Sequence, residues 1–211
     1  LGASRSEIEH TVKSIADSGV QNIVALRGDA PQGEDNFVPP EDGFGHANEL
    51  VTHIRKIEDP QRPFGLAVAG YPEKHLEAEN FDTDIANLKR KIESGGDIVI
   101  TQLFYNNAAY FTFVEKVRQA GIDTPIVPGL MPIQSAEQIQ RITSMCGATI
   151  SPELNAELND ASENNERAVQ IGIRKCIEQA TELLEKSVPG IHFYVLNKEY
   201  QMEEVMKALS L

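Results

Sequence analysis

Phe81-Asp-Thr-Asp-Ile-Ala-Asn-Leu-Lys-Arg-Lys-Ile-Glu-Ser-Gly-Gly-Asp-Ile-Val-Ile-Thr101 holds one helix-and-strand unit, and it sets the reading of everything around it. Phe81, Ile85, Leu88 and Ile92 recur at helical spacing, which predicts an amphipathic helix over about Phe81 to Ser94. Gly95-Gly96 stops it. The apolar run from Asp97 to Thr101 is too short for a helix and reads as a strand.

The same unit recurs on both sides. Upstream, Ser4 and Glu7 have capping-box spacing before a helix over about Arg5 to Ser18, with Ile8, Val12 and Ile15 on one face and Gly19 closing it. Asn22 to Leu26 follows, apolar as a doubly covered parallel strand should be. A helix over about His46 to Glu58 turns Leu50, Val51, Ile54 and Ile57 inward, ahead of a strand from Phe64 to Ala69. Downstream come a helix over about Asn107 to Ala120, a strand from Pro125 to Pro128, and a short helix from Ser135, again with capping-box spacing to Gln138. A polar stretch from Ser151 to Arg167 breaks the rhythm. Val169, Ile173, Cys176, Ile177, Ala180 and Leu184 then line a long helix, and a strand from Ile191 to Leu196 and a helix from Lys198 to Leu209 finish the chain.

Five strands alternating with helices predict a parallel α/β protein. An open doubly wound sheet would announce its nucleotide site with G-x-G-x-x-G, and no such motif occurs. Gly65 to Gly70 has the glycine spacing of a P-loop, but Tyr71-Pro72 stands where Lys-Ser/Thr is required. A (β/α)8 TIM barrel is therefore the expected fold. A whole barrel takes about 250 residues and eight strands. The chain supplies five, and it starts at Leu1, not Met, so something upstream is expected to be missing. The 211 residues are read as a single barrel catalytic domain, incomplete at its start and without a regulatory domain.

Composition narrows the function. A net charge of -13 argues against nucleic acid or anionic membrane as the main partner. Cys146 and Cys176 stand apart with no C-x-x-C spacing, which points to a reducing, cytoplasmic compartment. No apolar run approaches the roughly 20 residues of a spanning helix, and no signal peptide opens the chain. His46, His53 and His192 lack metal-ligand spacing, and no nucleophile-base signature is present. The inventory suits chemistry borne by a cofactor.

Barrel chemistry gathers where strands run out into βα loops. The strand ends here give Arg27-Gly28-Asp29, Tyr71-Pro72-Glu73-Lys74-His75, Gln102 with Phe104 and Tyr105, Pro128-Gly129, and Asn197-Lys198. Singly, each has an ordinary use: Asp29 and Asn197 as helix caps, Gln102 bonding a neighbouring strand, His75 solvated in a loop. Together they suggest a large polar-aromatic ligand. The sixteen residues from Ala30 to Gly45 exceed an ordinary βα connection and suit a lid or binding loop. Lys89, Arg90 and Lys91 form a basic cluster, of which Lys89 and Arg90 read as a solvated helix face.

Six strings carry a family resemblance: Ile23-Val-Ala-Leu-Arg-Gly-Asp29, Ala69-Gly-Tyr-Pro-Glu-Lys-His75, Asn87-Leu-Lys-Arg-Lys91, Ile100-Thr-Gln-Leu-Phe104, Pro128-Gly-Leu-Met-Pro132 and His192-Phe-Tyr-Val-Leu-Asn197. In this order and spacing they resemble the catalytic barrel of bacterial-type methylenetetrahydrofolate reductases. The resemblance implies FAD at the barrel mouth and ping-pong reduction of 5,10-methylenetetrahydrofolate to 5-methyltetrahydrofolate by NADH or NADPH. It assigns Arg27, Gly28, Asp29, Ala47, Tyr71 and His75 to FAD, Asp84 to a ribose or adenosine hydroxyl, and Lys91 to the pyrophosphate. Asp29 would lie near the flavin N1–O2 edge, where its charge opposes build-up of anionic reduced flavin. Asp29 and Gln102 would be the catalytic pair, with Gln102 on the folate pterin, and Gln138 and Lys198 as further folate contacts. Lys198 keeps the charge of the Arg found in many relatives but loses its bidentate fork. Ile142 replaces an aromatic that some relatives place against substrate or nicotinamide. The resemblance places residue 1 just after the third barrel strand, so about three strands, and with them the family's general-acid glutamate, are expected upstream of residue 1. Relatives form homo-oligomers, and the same is expected here. The rival readings are a flavin-dependent proline dehydrogenase, an aldolase, or an incomplete barrel acting as a binding subunit.

Overall fold

A computed structural model describes residues 2–28, 38–197 and 199–210. It divides into two compact units, one of Leu1–Ala69 with Ala86–Val99 and the other of Gly70–Ile85 with Ile100–Leu211. Asp29 and Lys198 lie outside the described residues, as do positions 30–37 of the long loop.

The first unit begins with α1 (Arg5–Asp17), whose cap follows the sequence signal. Glu7 N–H donates to Ser4 Oγ at 3.3 Å and the Glu7 carboxylate accepts from Ser4 N–H at 2.8 Å. β1 (Asn22–Val24) pairs in parallel with β2 (Gly65–Gly70), Asn22 opposite Gly65 and Val24 opposite Ala67. The expectation that β1 is covered on both faces fails: Val24 and Leu26 are 47% and 53% exposed. Val24 and Leu26 share one face of the run, and among the described residues nothing covers that face, whereas Ala25 on the other face is buried. α2 (Ala47–Ile57) connects β1 to β2 and buries Val51 and Ile54.

Arg55 of α2 joins the lower ends of the strands. It donates to Phe64 O at 2.8 Å and, through Nε, to Gly95 O at 3.0 Å, and it pairs with Glu58 and Asp97. Asp97 in turn accepts from Leu66 N at 2.7 Å. One guanidinium thus aligns the starts of β2 and β3 (Ile98–Thr101), a bond pattern suited to a planar five-donor fork. The strand order in this unit is β1-β2-β3.

α3 (Phe81–Glu93) contributes its first turn to the second unit and the rest to the first. In the second unit the end of β3 neighbours β4 (Ile126–Val127). α4 (Asn107–Gln119) packs beneath through Tyr110, Phe113 and Val117. Tyr110 stacks on Phe104 at 5.5 Å and its hydroxyl donates to Ile126 O at 2.7 Å.

The fourth strand run differs from its expected span. Pro128 has no N–H to give a ladder, and the chain changes partners there. β4 ends at Val127, while β5 (Gly129–Leu130) pairs in parallel with β6 (His192–Phe193). Pro128-Gly129 is therefore inside the strand run and not at its mouth, which begins at Met131.

The polar stretch from Ser151 to Arg167 also differs from expectation, because it contains α6 (Pro152–Asp160). Ser151 caps it, Pro152 opens its first turn, and Leu154 and Leu158 enter a core with Ile133, Ile139 and Ala168. α5 (Ala136–Cys146) precedes it and ends at Gly147 in the left-handed region. α7 (Asn165–Glu185) buries Ile173, Cys176 and Ala180 as its periodicity predicts, but the last inward residue is Leu183, and Leu184 is 38% exposed. α8 (Glu199–Leu209) buries Gln201 and Val205. Among the described residues, no helix is long and apolar enough to cross a membrane.

Candidate functional site

In the first unit, Arg27 and Gly28 follow β1, and Arg27 Nε donates to Gly28 O at 3.3 Å. Gly28 has φ +84°, a left-handed turn that favours glycine. Ala47 opens α2, where the Glu49 carboxylate accepts from Gly45 N at 2.9 Å and His46 N at 3.2 Å. The Lys91 ammonium donates to Ala69 O, near the end of β2.

In the second unit the loop after β2 folds onto the start of α3. The Tyr71 and His75 rings meet edge-on at 4.5 Å. Asp84 is 5% exposed, and its carboxylate accepts from His75 N at 3.0 Å. Three residues assigned to one ligand from sequence thus converge. The loop's geometry is held by Glu73 and Lys74, which carry no ligand assignment. Lys74 adopts φ +76° and donates to His75 O at 3.0 Å and Ala78 O at 2.6 Å. The Glu73 carboxylate takes Thr149 N–H at 3.0 Å together with the Thr149 hydroxyl, fastening the loop to the connection between α5 and α6.

Tyr71 and Gln102 share the wall of a small crevice with Cys146 and Ala148, of about 10 Å³, room for a water at most. Gln102 follows β3. Its N–H donates to Gly70 O at 2.8 Å, and its Oε1 accepts from Leu103 N at 2.9 Å. Gln138 serves α5: its N–H donates to Ser135 Oγ at 3.1 Å, and its Oε1 accepts from Gln134 N at 3.2 Å, one residue before the position a capping box would use.

A larger cavity, of about 740 Å³, opens where α5, α7 and α8 begin, lined by Gln134, Ser135, Glu137, Asn165, Asn197 and Tyr200 among others. Its size is that of a small-molecule pocket. Asn165 and Tyr200 carried no sequence signal, since their meeting depends on how distant helices pack. Leu196 and Asn197, at its edge, both have left-handed φ, +49° and +58°. For Leu196 this is strain, which tends to be kept at functional sites.

Two buried groups are chemically quiet. Burial pushes the Cys176 thiol up to about 12 and the Tyr194 phenol up to about 12. Cys176 is therefore no thiolate nucleophile at neutral pH. Among the described residues no group of His, Cys, Asp and Glu could hold a metal ion.

Burial also lowers the His192 pKa below the ordinary imidazole value. The unfolded chain takes up this proton near pH ~6.5, whereas the folded ring resists it. Below that pH the unfolded state binds more protons, so His192 contributes stability above pH ~6.5 that is lost as pH falls toward its folded pKa. Urea denaturation from pH 7.5 down to 5 is expected to show declining stability, and His192→Gln to remove part of the slope. An unaltered slope in the variant would assign the decline to other groups.

A family model described as methylenetetrahydrofolate reductase matches residues 1–210. Methylenetetrahydrofolate reductase (NADH) 1 of Zea mays is 40% identical over 215 residues, covering 97% of this chain and 36% of the relative. The 5,10-methylenetetrahydrofolate reductase of Buchnera aphidicola subsp. Schizaphis graminum is 35% identical, covering 94% and 64%. A Caenorhabditis elegans relative whose name specifies NADPH is 34% identical, covering 92% and 28%. The chain thus spans about a third of the length of the maize relative. A solved Clostridium thermocellum protein, described as binding two copies of 5-methyl-5,6,7,8-tetrahydrofolic acid, superimposes with a TM-score of 0.58 at 16% identity, covering 98% of this chain and 67% of that one. This likeness carries the fold, a parallel α/β barrel class. Matched along essentially its whole length, the chain belongs to the methylenetetrahydrofolate reductase family.

Proposed function

We propose that this chain provides the catalytic barrel of a flavin-dependent oxidoreductase that reduces 5,10-methylenetetrahydrofolate to 5-methyltetrahydrofolate with NADH or NADPH. The observation that carries the reading is the cluster of Tyr71, His75 and Asp84 in a chain matched to this family from residue 1 to 210.

The residues fit FAD. A buried carboxylate has up to four acceptor sites, so Asp84 can take a hydroxyl as well as the His75 N–H. Tyr71 and His75 offer aromatic surface. Lys91, also from α3, carries the positive charge that suits a diphosphate. Arg27, Gly28, Asp29 and Ala47 complete the proposed cofactor set. Bound FAD supplies a hydride relay that lets donor and folate react in turn, the ping-pong order.

The protein's own part is orientation and charge. Asp29 would hold a negative charge where reduced flavin develops its own, favouring hydride release. Gln102 would bond the pterin, and Gln138 and Lys198 the rest of the folate. The 740 Å³ cavity, flanked by Asn197 and Glu199, adjoins Lys198 in sequence and offers room for a bulky substrate. A homo-oligomer acting on small molecules in the cytoplasm is the setting proposed.

Anaerobic titration with NADH and then NADPH, followed by methylenetetrahydrofolate, tests each half. Flavin absorbance is expected to bleach with the donor and recover with the folate. Bleaching without recovery removes the folate half, and bleaching by proline favours a proline dehydrogenase. A protein without flavin bands favours an aldolase or a binding subunit.

A further inference from the structure

Thr101 and Gln102 are joined by a peptide group gripped at both ends. Its N–H belongs to Gln102 and donates to Gly70 O at 2.8 Å. Its carbonyl belongs to Thr101 and accepts from the Tyr194 hydroxyl at 2.9 Å. The peptide unit is planar, so two bonds on opposite edges fix its rotation, and with it the direction in which the Gln102 side chain leaves the strand end. We propose that Tyr194 is a positioning residue for Gln102, setting the side-chain amide for the folate; this rests on the reading of Gln102 given above.

The surroundings are built around that bond. Thr101 is fully buried, and its Oγ1 accepts from Gly129 N at 2.9 Å. A Cβ on Gly129 would stand 2.7 Å from Tyr194 Cε2, so the missing side chain makes room for the ring. His192 meets the same ring edge-on at 4.7 Å, and Tyr194 N donates to Leu130 O at 2.8 Å. Burial keeps the phenol protonated, so it remains a donor throughout the physiological range.

The amide has a definite sense as well. A backbone N–H can bond only an acceptor, so the Leu103 N–H fixes Oε1 toward itself. Gln102 therefore presents its NH2 end, a donor matched to a carbonyl oxygen or ring nitrogen of a pterin.

The test is a double-mutant cycle on binding of 5-methyltetrahydrofolate, measured by calorimetry in the full-length flavoprotein. Tyr194→Phe keeps the ring and is expected to weaken binding about three- to tenfold, the range of one lost hydrogen bond. Gln102→Ala should weaken it by about tenfold or more. If Tyr194 acts through Gln102, adding Tyr194→Phe to Gln102→Ala costs nothing further. An equal loss in both backgrounds overturns the proposal. Unchanged binding in Gln102→Ala overturns the folate reading of Gln102 itself. Hydrogen exchange separates the two: in Tyr194→Phe the Gln102 amide should exchange faster while the Gly129 amide, bonded to Thr101 Oγ1, does not. An unchanged Gln102 amide, or equal acceleration at both, shows that the tyrosine does not hold this peptide.

Discussion

Asp84→Ala is expected to bind FAD about 10- to 100-fold more weakly than the parent protein. The carboxylate is 5% exposed and accepts the His75 N–H at 3.0 Å. Hydrogen bonds to charged groups contribute about 1.5–3 kcal/mol, and about 1.4 kcal/mol is a factor of ten in affinity. Removing the side chain acts twice. It deletes the acceptor proposed for a cofactor hydroxyl, and it leaves the His75 N–H without its carboxylate, which frees the loop that presents Tyr71 and His75. Asp84→Asn keeps an acceptor oxygen and is expected to fall between the two. Flavin fluorescence quenching gives the dissociation constant, and the ratio of 450 to 280 nm absorbance after gentle purification gives the retained cofactor. If Asp84→Ala binds within twofold of the parent, Asp84 has no part in holding FAD.

The alternation of helices and strands was legible because each helix shows a local period and each strand is a short apolar run. The Ser4–Glu7 cap, the inward face of α2 and the stop at Gly95-Gly96 all depend on neighbours within a few residues. What escaped depends on distant ones. α6 hides in a polar stretch because its buried side is only Leu154 and Leu158, one helical pair, although Ser151-Pro152-Glu153 is a strong start signal. The exchange of Leu184 for Leu183 reflects small drift of the helical period over a 21-residue helix. Tyr71 and His75 were legible as strand-end groups, whereas Asp84, on a helix, was assigned only through the family resemblance; His75 meets both of them. The holding groups were not: Glu73 on Thr149 and Tyr194 on Thr101 join residues 76 and 93 positions apart, and no local pattern encodes such pairs.

Gly129 shows how a motif residue can be misread in the same way, and Gly129→Ala is expected to lower stability by about 1–3 kcal/mol, the usual range for overpacking a tight interior. Read from sequence, Pro128-Gly129 is a strand-mouth pair facing ligand. In the structure Gly129 lies within β5, buried, with no left-handed backbone to require glycine. The reason for glycine is space: a Cβ there would stand 2.2 Å from Thr101 O and 2.7 Å from the Tyr194 ring. Thr101 O is backbone and cannot swing aside like the end of a flexible side chain, so β5 must shift away from the end of β3 and the Tyr194 ring must give way as well. Urea unfolding of Gly129→Ala measures the loss directly, with a thermal midpoint lower by about 2–4 °C for each kcal/mol in a protein of this size. A variant within about 0.5 kcal/mol of the parent, the scatter of ordinary surface substitutions, would mean that β5 accommodates the methyl and that the close passage of Thr101, Gly129 and Tyr194 is not a fixed feature of the fold.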